Sequence, residues 1–241
     1  MTDAIYQAAA LIIPMILAIV FHEVAHGLAA RALGDPTAAE LNRLSLNPLR
    51  HVDLVGTVLL PGALKLMGLP VFGWAKPVPV NASRLRNPRR DMMLVGAAGP
   101  GMNLVMALAG ALLLGLVFRP YGGLPSDYAS LSQALAAMHP VQGFVALNLF
   151  NFVLLNVFLA LFNLLPVPPF DGSHIVEGLL PLGLARSYAS LRRYGFLLVV
   201  VVLVVLPSLI PGFDPVGALV FPPVDWLTTH YLALAAAIAG A

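Results

Sequence analysis

Two histidines and a glutamate lie within five residues of one another in the stretch HEVAH, residues 22–26. Residues four apart on an α-helix lie on the same face, so His22 and His26 can present two imidazoles one turn apart. Glu23 lies about 100° round the helix from His22, near enough to reach a water bound to a shared metal. The H-E-x-x-H pattern is typical of zinc proteases, in which it supplies two ligands and a general base.

A catalytic zinc site usually has three protein ligands, and the chain has no cysteine, so the third ligand must be His, Asp or Glu. The best candidate is Asp171, in the stretch FNLLPVPPFDGSHI that follows a long apolar run. The prolines before it break a helix, and Gly172 lets the chain turn beside a bulky site. Asp171 could instead cap a helix end, and His174 and Glu177 are rival ligands.

The setting of these polar residues is an apolar chain of 241 residues, of which 59% are hydrophobic and only 10% charged. Soluble domains carry about 25% charged residues, so the composition indicates an integral membrane protein. The net charge of +2 gives no sign of nucleic-acid binding. Ionisable groups inside a membrane span are costly and usually functional, which favours a metal site over chance.

Long apolar runs predict an all-α polytopic membrane protein that forms a single domain over residues 1–241, with four to six transmembrane helices. Four runs are long enough, and the tail at 224–241 is a weaker fifth candidate. The segment 54–73 is ambiguous, because Lys65 and two prolines interrupt it. The four strong candidates are about residues 5–32, 93–118, 141–165 and 194–211.

The positions of Lys and Arg, which are enriched in cytoplasmic loops, set the expected topology. Basic residues flank 54–73 on both sides, so this segment is predicted to dip into the bilayer without crossing it. Arg31 marks the cytoplasmic edge of the first span, and His22 lies nine residues before it, or roughly 13 Å at ~1.5 Å per residue. The active site is therefore expected near the cytoplasmic side. The proline-rich stretch 71–87 is predicted to form an extended β segment on that face.

Several further polar residues and glycines have two interpretations each. His51 and Asp53 could form a pair beside the site or a solvated pair at the membrane surface. Asn103 could bond across helices or act near the site. The glycines of the second span are predicted to allow close helix approach, and they are Gly96, Gly99 and Gly101.

HEVAH together with NLLPVPPFDG resembles the site-2 protease family of intramembrane zinc metalloproteases, and in particular its short bacterial members. The stretches LSLNPLRHVDLVGTVLLP, GWAKPVPVN and GPGMN extend the resemblance over roughly residues 10–180. The resemblance implies one zinc ion bound by His22, His26 and Asp171, with Glu23 as general base. It also implies that Asn163 assists the substrate or the transition state. Many members carry a PDZ or CBS domain, and the sequence indicates neither.

The expected function is hydrolysis of a peptide bond within or near the transmembrane segment of a membrane protein, by zinc-activated water. The expected location is the cell membrane, and the expected partners are a transmembrane substrate and the lipid bilayer, without nucleic acid. The 71–87 segment is predicted to hold an unwound substrate by edge pairing. The alternatives are a metal ion transporter and a catalytically inactive membrane scaffold. The substrate's identity and the oligomeric state are left open.

Overall fold

Helices supply the regular structure of this computed structural model, which describes residues 2–68, 73–125 and 128–240. Leu54–Leu59 is a π-helical turn that continues into α3, and Val201–Val205 is a similar turn that joins α9 to α10. The helices in chain order are α1 (Thr2–Ala32), α2 (Thr37–Glu40), α3 (Leu60–Leu66), α4 (Pro88–Phe118), α5 (Tyr128–Ala137), α6 (Pro140–Asn163), α7 (Gly172–Leu179), α8 (Leu182–Ala189), α9 (Gly195–Val200), α10 (Leu206–Leu209), α11 (Pro215–Leu219) and α12 (Phe221–Ala239).

Four helical runs in the described residues are long and apolar enough to cross a membrane, which confirms the predicted polytopic helical fold. Residues 224–239 of the predicted tail span lie in α12, which is not one of these runs. The helix through Leu54–Leu66 is only six plus seven residues long, or roughly 20 Å at ~1.5 Å per residue, and a crossing needs about 30 Å. The four runs are Ile5–Ala32, Pro88–Tyr121, Pro140–Asn163 and Leu182–Leu209.

The ends of the long helices follow local sequence signals. Helix α1 ends just before Gly34, whose φ of +112° is a conformation that favours glycine. Helix α4 begins with Pro88 at its first position, and the Asp91 carboxylate accepts a hydrogen bond from the Asn87 N–H at 2.7 Å. Helix α6 ends before the proline-rich turn that leads to Asp171, because proline cannot continue a helix.

The chain divides into two compact units, and the first comprises residues 1–18, 103–161 and 219–241. Its core is apolar, with buried residues from α4, α5, α6 and α12 such as Leu114, Phe118 and Val153. Asparagines link the helices: the Asn103 side chain donates to the Ala18 carbonyl at 3.2 Å and to Asn156 at 2.8 Å. In a membrane such bonds hold helices together, which gives Asn103 a packing role.

The second unit comprises residues 19–102 and 162–218, and it contains His22, Glu23, His26 and Asp171. A buried carboxylate organises one of its loops. Asp35 is fully buried, and it accepts hydrogen bonds from the Thr37 N–H at 3.1 Å, from the Thr37 hydroxyl and from the Asn81 N–H at 2.6 Å. These bonds tie the end of α1 to the proline-rich segment.

The predicted β segment at 71–87 is wrong for the residues that the structure describes, and residues 71 and 72 lie outside them. Residues 73–81 run without regular structure into a short 3₁₀ turn, Ala82–Arg84. Pro77 and Pro79 have no N–H to donate to a strand ladder. The N–H of Lys76 donates to the His51 carbonyl at 2.8 Å, and that of Val78 to a carboxylate. Because the N–H groups of Lys76 and Val78 are bonded within the chain and the prolines have none, residues 76–79 have no free main-chain N–H for edge pairing with a substrate.

Candidate metal centre

Helix α1 brings His22 and His26 together on one face, as their spacing predicts. Both side chains are buried, and their Nε2 atoms are 3.0 Å apart. The two rings are nearly perpendicular, with centroids 4.6 Å apart. Two ring nitrogens therefore point to one place inside the second unit.

Asp171 reaches the same place from the turn between α6 and α7. Its Oδ2 atom lies 3.1 Å from Nε2 of His22 and 3.2 Å from Nε2 of His26. The turn is tight: a Cβ on Gly172 would lie 2.5 Å from the Leu164 carbonyl carbon, so only glycine fits. Burial raises the pKa of the Asp171 carboxyl, but the two imidazoles lower it more, so its pKa lies well below its usual range. Asp171 is thus an anion at neutral pH.

The distances between these three atoms suit a tetrahedral metal ion. Zinc binds nitrogen and oxygen at about 2.0–2.2 Å in tetrahedral sites, which puts neighbouring ligand atoms about 3.3 Å apart, close to the observed 3.0–3.2 Å. No donor among the described residues makes a hydrogen bond of good geometry to the buried Asp171 Oδ2. Burying a carboxylate oxygen without a partner is costly, and a cation bound between this oxygen and the two imidazole nitrogens would offset that cost.

Helix α4 orients one of the candidate ligands. The Nδ1 atom of His26 lies 2.7 Å from the Val95 carbonyl oxygen. A carbonyl can only accept, so Nδ1 carries the proton and Nε2 presents its lone pair to the metal position. Gly99 on the same helix lies against both rings, where a Cβ would stand 2.6 Å from Cε1 of His26 and 2.7 Å from Cε1 of His22. The α4 backbone therefore forms one wall of the centre.

Glu23 lies next to His22 on α1 and is half-buried. Its Oε2 atom accepts a hydrogen bond from the Val78 N–H at 2.8 Å. The proline-rich segment thus contacts the carboxylate that the sequence predicts as general base.

The rival ligands have other partners. The Nδ1 atom of His174 lies 2.8 Å from an Arg192 guanidinium nitrogen, and Glu177 forms an ion pair with the same arginine. Burial and the nearby Arg192 charge lower the pKa of His174 to about 4, so it is neutral at pH 7. Arginine only donates, so His174 Nδ1 accepts this bond and is not available to a metal.

Three other predicted residues lie outside the cluster of ligand atoms. The buried His51 ring contacts the Ser45 carbonyl through Nε2 at 2.7 Å. The Asp53 side chain caps the helical turn that follows it, accepting from the N–H groups of Val55 and Gly56 at 3.0 and 2.7 Å. Asn163 is the last residue of α6 and is half-buried, and its role stays a prediction.

Reasoning from the sequence missed the contributions of two backbone groups, the Val95 carbonyl and the Val78 N–H. Main-chain groups carry no sequence signal of their own. Gly96 and Gly99 of α4 did have a sequence signal, because the GAAG spacing at 96–99 places the two glycines on one helix face. Gly96 packs on the Asp171 turn, where a Cβ would lie 3.1 Å from the Asp171 carbonyl oxygen.

Comparison with known proteins adds a family and two relatives. The model of peptidase family M50 matches residues 10–206. The chain is 37% identical over 194 residues to "Putative zinc metalloprotease YwhC" of Bacillus subtilis, covering 80% of each protein. It is 28% identical over 192 residues to "Putative zinc metalloprotease Rip2" of Mycolicibacterium smegmatis, covering 78% of this chain and 64% of that protein. No solved structure gives a significant match.

Proposed function

The chain belongs to peptidase family M50, the site-2 protease family, and from this premise we propose that it hydrolyses peptide bonds within or near membrane spans of its protein substrates. The family and the name of the first relative support a zinc metalloprotease. Four apolar helices support a multi-pass membrane protein. The observation that carries the finer proposal is the convergence of His22, His26 and Asp171 on one point.

In this proposal His22, His26 and Asp171 hold one zinc ion and leave its fourth position open. Zinc bound there would lower the pKa of a coordinated water towards 7 and stabilise negative charge on a carbonyl oxygen. His26 is oriented by the Val95 carbonyl, and Asp171 supplies a permanent negative charge.

In this proposal Glu23 transfers the proton of the attacking water. One carboxylate oxygen is held by the Val78 N–H, and the other is available to accept a proton from water and later to deliver it to the leaving nitrogen. Asn163 is proposed to donate a hydrogen bond from its amide to the substrate carbonyl, a role taken from the family resemblance. A substrate helix must unwind locally, because its carbonyls are otherwise bonded within the helix.

The site is proposed to lie near the cytoplasmic side of the membrane. Arg31 is in the last turn of α1, and basic residues favour the cytoplasmic edge. His22 precedes it by nine residues, which is roughly 13 Å along the helix. Water needed for hydrolysis would then have a short path from the cytoplasm.

Metal transport is the main alternative, and the polar residues of the first unit do not favour it. A transport path needs polar groups that face a water-filled route. Asn103 and Asn156 bond to each other, Asn151 donates to the Ala10 carbonyl at 2.8 Å, and Asn148 donates to the Phe144 carbonyl at 2.8 Å. Asn103, Asn151 and Asn156 thus bond between helices and Asn148 bonds within its own helix, which favours a structural role for these four amides over a transport route.

The test compares the purified protein with Glu23→Gln, reconstituted in liposomes with a panel of single-span peptides. We expect about one zinc per chain in both proteins, and a fall in cleavage of about 10²–10⁴-fold in Glu23→Gln. Glu40→Gln, which changes an exposed glutamate paired with Arg84, serves as the matched control and should cleave like wild type. Zinc flux into liposomes that persists in Glu23→Gln, without cleavage by wild type, would contradict the proposal.

A further inference from the structure

The peptide group that joins Pro77 to Val78 lies between two charged side chains. On one side, its N–H donates to Oε2 of Glu23 at 2.8 Å. On the other side, its carbonyl oxygen accepts from an Arg43 guanidinium nitrogen at 3.2 Å, and the same nitrogen also donates to the Lys76 carbonyl at 2.9 Å. The peptide dipole is therefore aligned with its positive end towards the carboxylate and its negative end towards the guanidinium.

This peptide group is held in place by its neighbours. The Val78 side chain is buried and packs on α1 one turn beyond Glu23, where a Cβ on Gly27 would lie 2.9 Å from Val78 Cγ1. Pro77 and Pro79 each have a fixed φ, and Pro79 also restricts Val78 to extended conformations. The N–H thus points at Glu23 from a backbone with little freedom of its own.

We propose that Arg43 and the Val78 peptide group are positioning elements for the general base, an inference that rests on the proposed function. A glutamate side chain has three rotatable bonds, and proton transfer requires it to be aimed at the reacting water. The Val78 N–H fixes one carboxylate oxygen, and the other accepts no hydrogen bond from the residues that the structure describes. Arg43 acts through the peptide, because a cation at the carbonyl strengthens the N–H as a donor and holds the segment against α1.

The first experiment uses side-chain variants and the single-span peptide that wild type cleaves best. Arg43→Ala should lower kcat about tenfold, with KM and zinc content unchanged, because the effect is on the base and not on the metal or the substrate. Arg43→Lys should recover part of the loss, since lysine keeps the charge but not the planar fork. Arg50→Ala is the matched control: this exposed arginine donates to the Asn42 carbonyl at 2.7 Å, and its loss should leave kcat unchanged.

The second experiment removes the N–H, by replacing Val78 with its α-hydroxy acid so that the amide becomes an ester, which also weakens the Pro77 carbonyl as an acceptor for Arg43. This should lower kcat about ten- to a hundredfold, and the same change at Val80, whose N–H is not bonded to Glu23, should not. In a Glu23→Gln background the ester at 78 should have no further effect, since its action is through Glu23. A general structural defect would instead lower the residual rate as well.

Hydrogen exchange tests the contact without a substrate. Residues 76–80 contain three amide N–H groups, because residues 77 and 79 are proline. In Glu23→Ala one of the three should lose protection, and in Arg43→Ala the same one should exchange faster.

Three results would overturn the inference: wild-type kcat in both Arg43→Ala and the ester at 78, a rise in kcat in either, or loss of zinc in either. Failure of the proposed function gives a different result, because wild type would then cleave no peptide or Glu23→Gln would cleave as well as wild type.

Discussion

Gly99→Ala is expected to displace the imidazoles of His22 and His26 from the metal position. The added methyl group would contact Nε2 of His26 and stand 2.6 Å from its Cε1, and 2.7 Å from Cε1 of His22. Carbon atoms in van der Waals contact are about 3.5–4.0 Å apart, so these contacts are short by about 1 Å. Either the two rings or helix α4 must move by most of that distance.

Such a movement is large on the scale of metal coordination, because ligand distances tolerate shifts of only about 0.2 Å. If α4 moves instead, the Val95 carbonyl leaves Nδ1 of His26 and the ring loses its orientation. Losing an orienting partner alone costs about 10–100-fold in metal affinity. Displacing two ligands should cost at least about 100-fold, or roughly 3 kcal/mol.

The assay is zinc affinity of the purified protein in detergent, measured by competition with a chelator of known affinity. The matched control is Gly101→Ala on the same helix, where a Cβ meets no atom within 4 Å. We expect the control to bind zinc like wild type and to unfold at the same or a higher temperature, since alanine favours helix over glycine. Wild-type zinc affinity in Gly99→Ala would refute the proposed metal position between His22, His26 and Asp171.

Two further substitutions test the carboxylates of the second unit. Asp171→Asn should lower zinc affinity about 10–100-fold by removing the anionic ligand, whereas Asp53→Asn, which changes a helix cap, should leave zinc content unchanged. Asp35→Asn should lower the free energy of unfolding by about 1–3 kcal/mol, against about 1 kcal/mol or less for the exposed Glu40→Gln, as measured by thermal unfolding in detergent. Burial raises the pKa of Asp35, but hydrogen bonds from Thr37 and Asn81 lower it more, so this stabilisation is complete above the ordinary carboxyl pKa of about 3.9 and is lost as pH falls through the lower folded pKa.

The helical spans could be predicted because long apolar runs and their proline and glycine boundaries are local signals. The conformation of the proline-rich segment, residues 73–81, could not be predicted in this way. Its alternation around Pro77 and Pro79 resembles an edge strand, but a strand needs a partner with matching donors and acceptors. Here the partners are the His51 carbonyl and the Glu23 side chain, which the local sequence does not specify.

The candidate site likewise has a part that the sequence predicts and a part that depends on the tertiary structure. From the sequence alone, His22, Glu23 and His26 could be assigned to one turn of a helix, because helical geometry relates neighbours along the chain. Asp171 could be named as the best third ligand, although His174 and Glu177 remained open, since nothing local relates residues almost 150 positions apart. Tertiary structure brings Asp171 to His22 and His26, and it engages Glu177 and His174 with Arg192. It also supplied the Val95 carbonyl, the Val78 N–H and the close approach of Gly99, which depend on how helices pack and are therefore properties of the folded backbone.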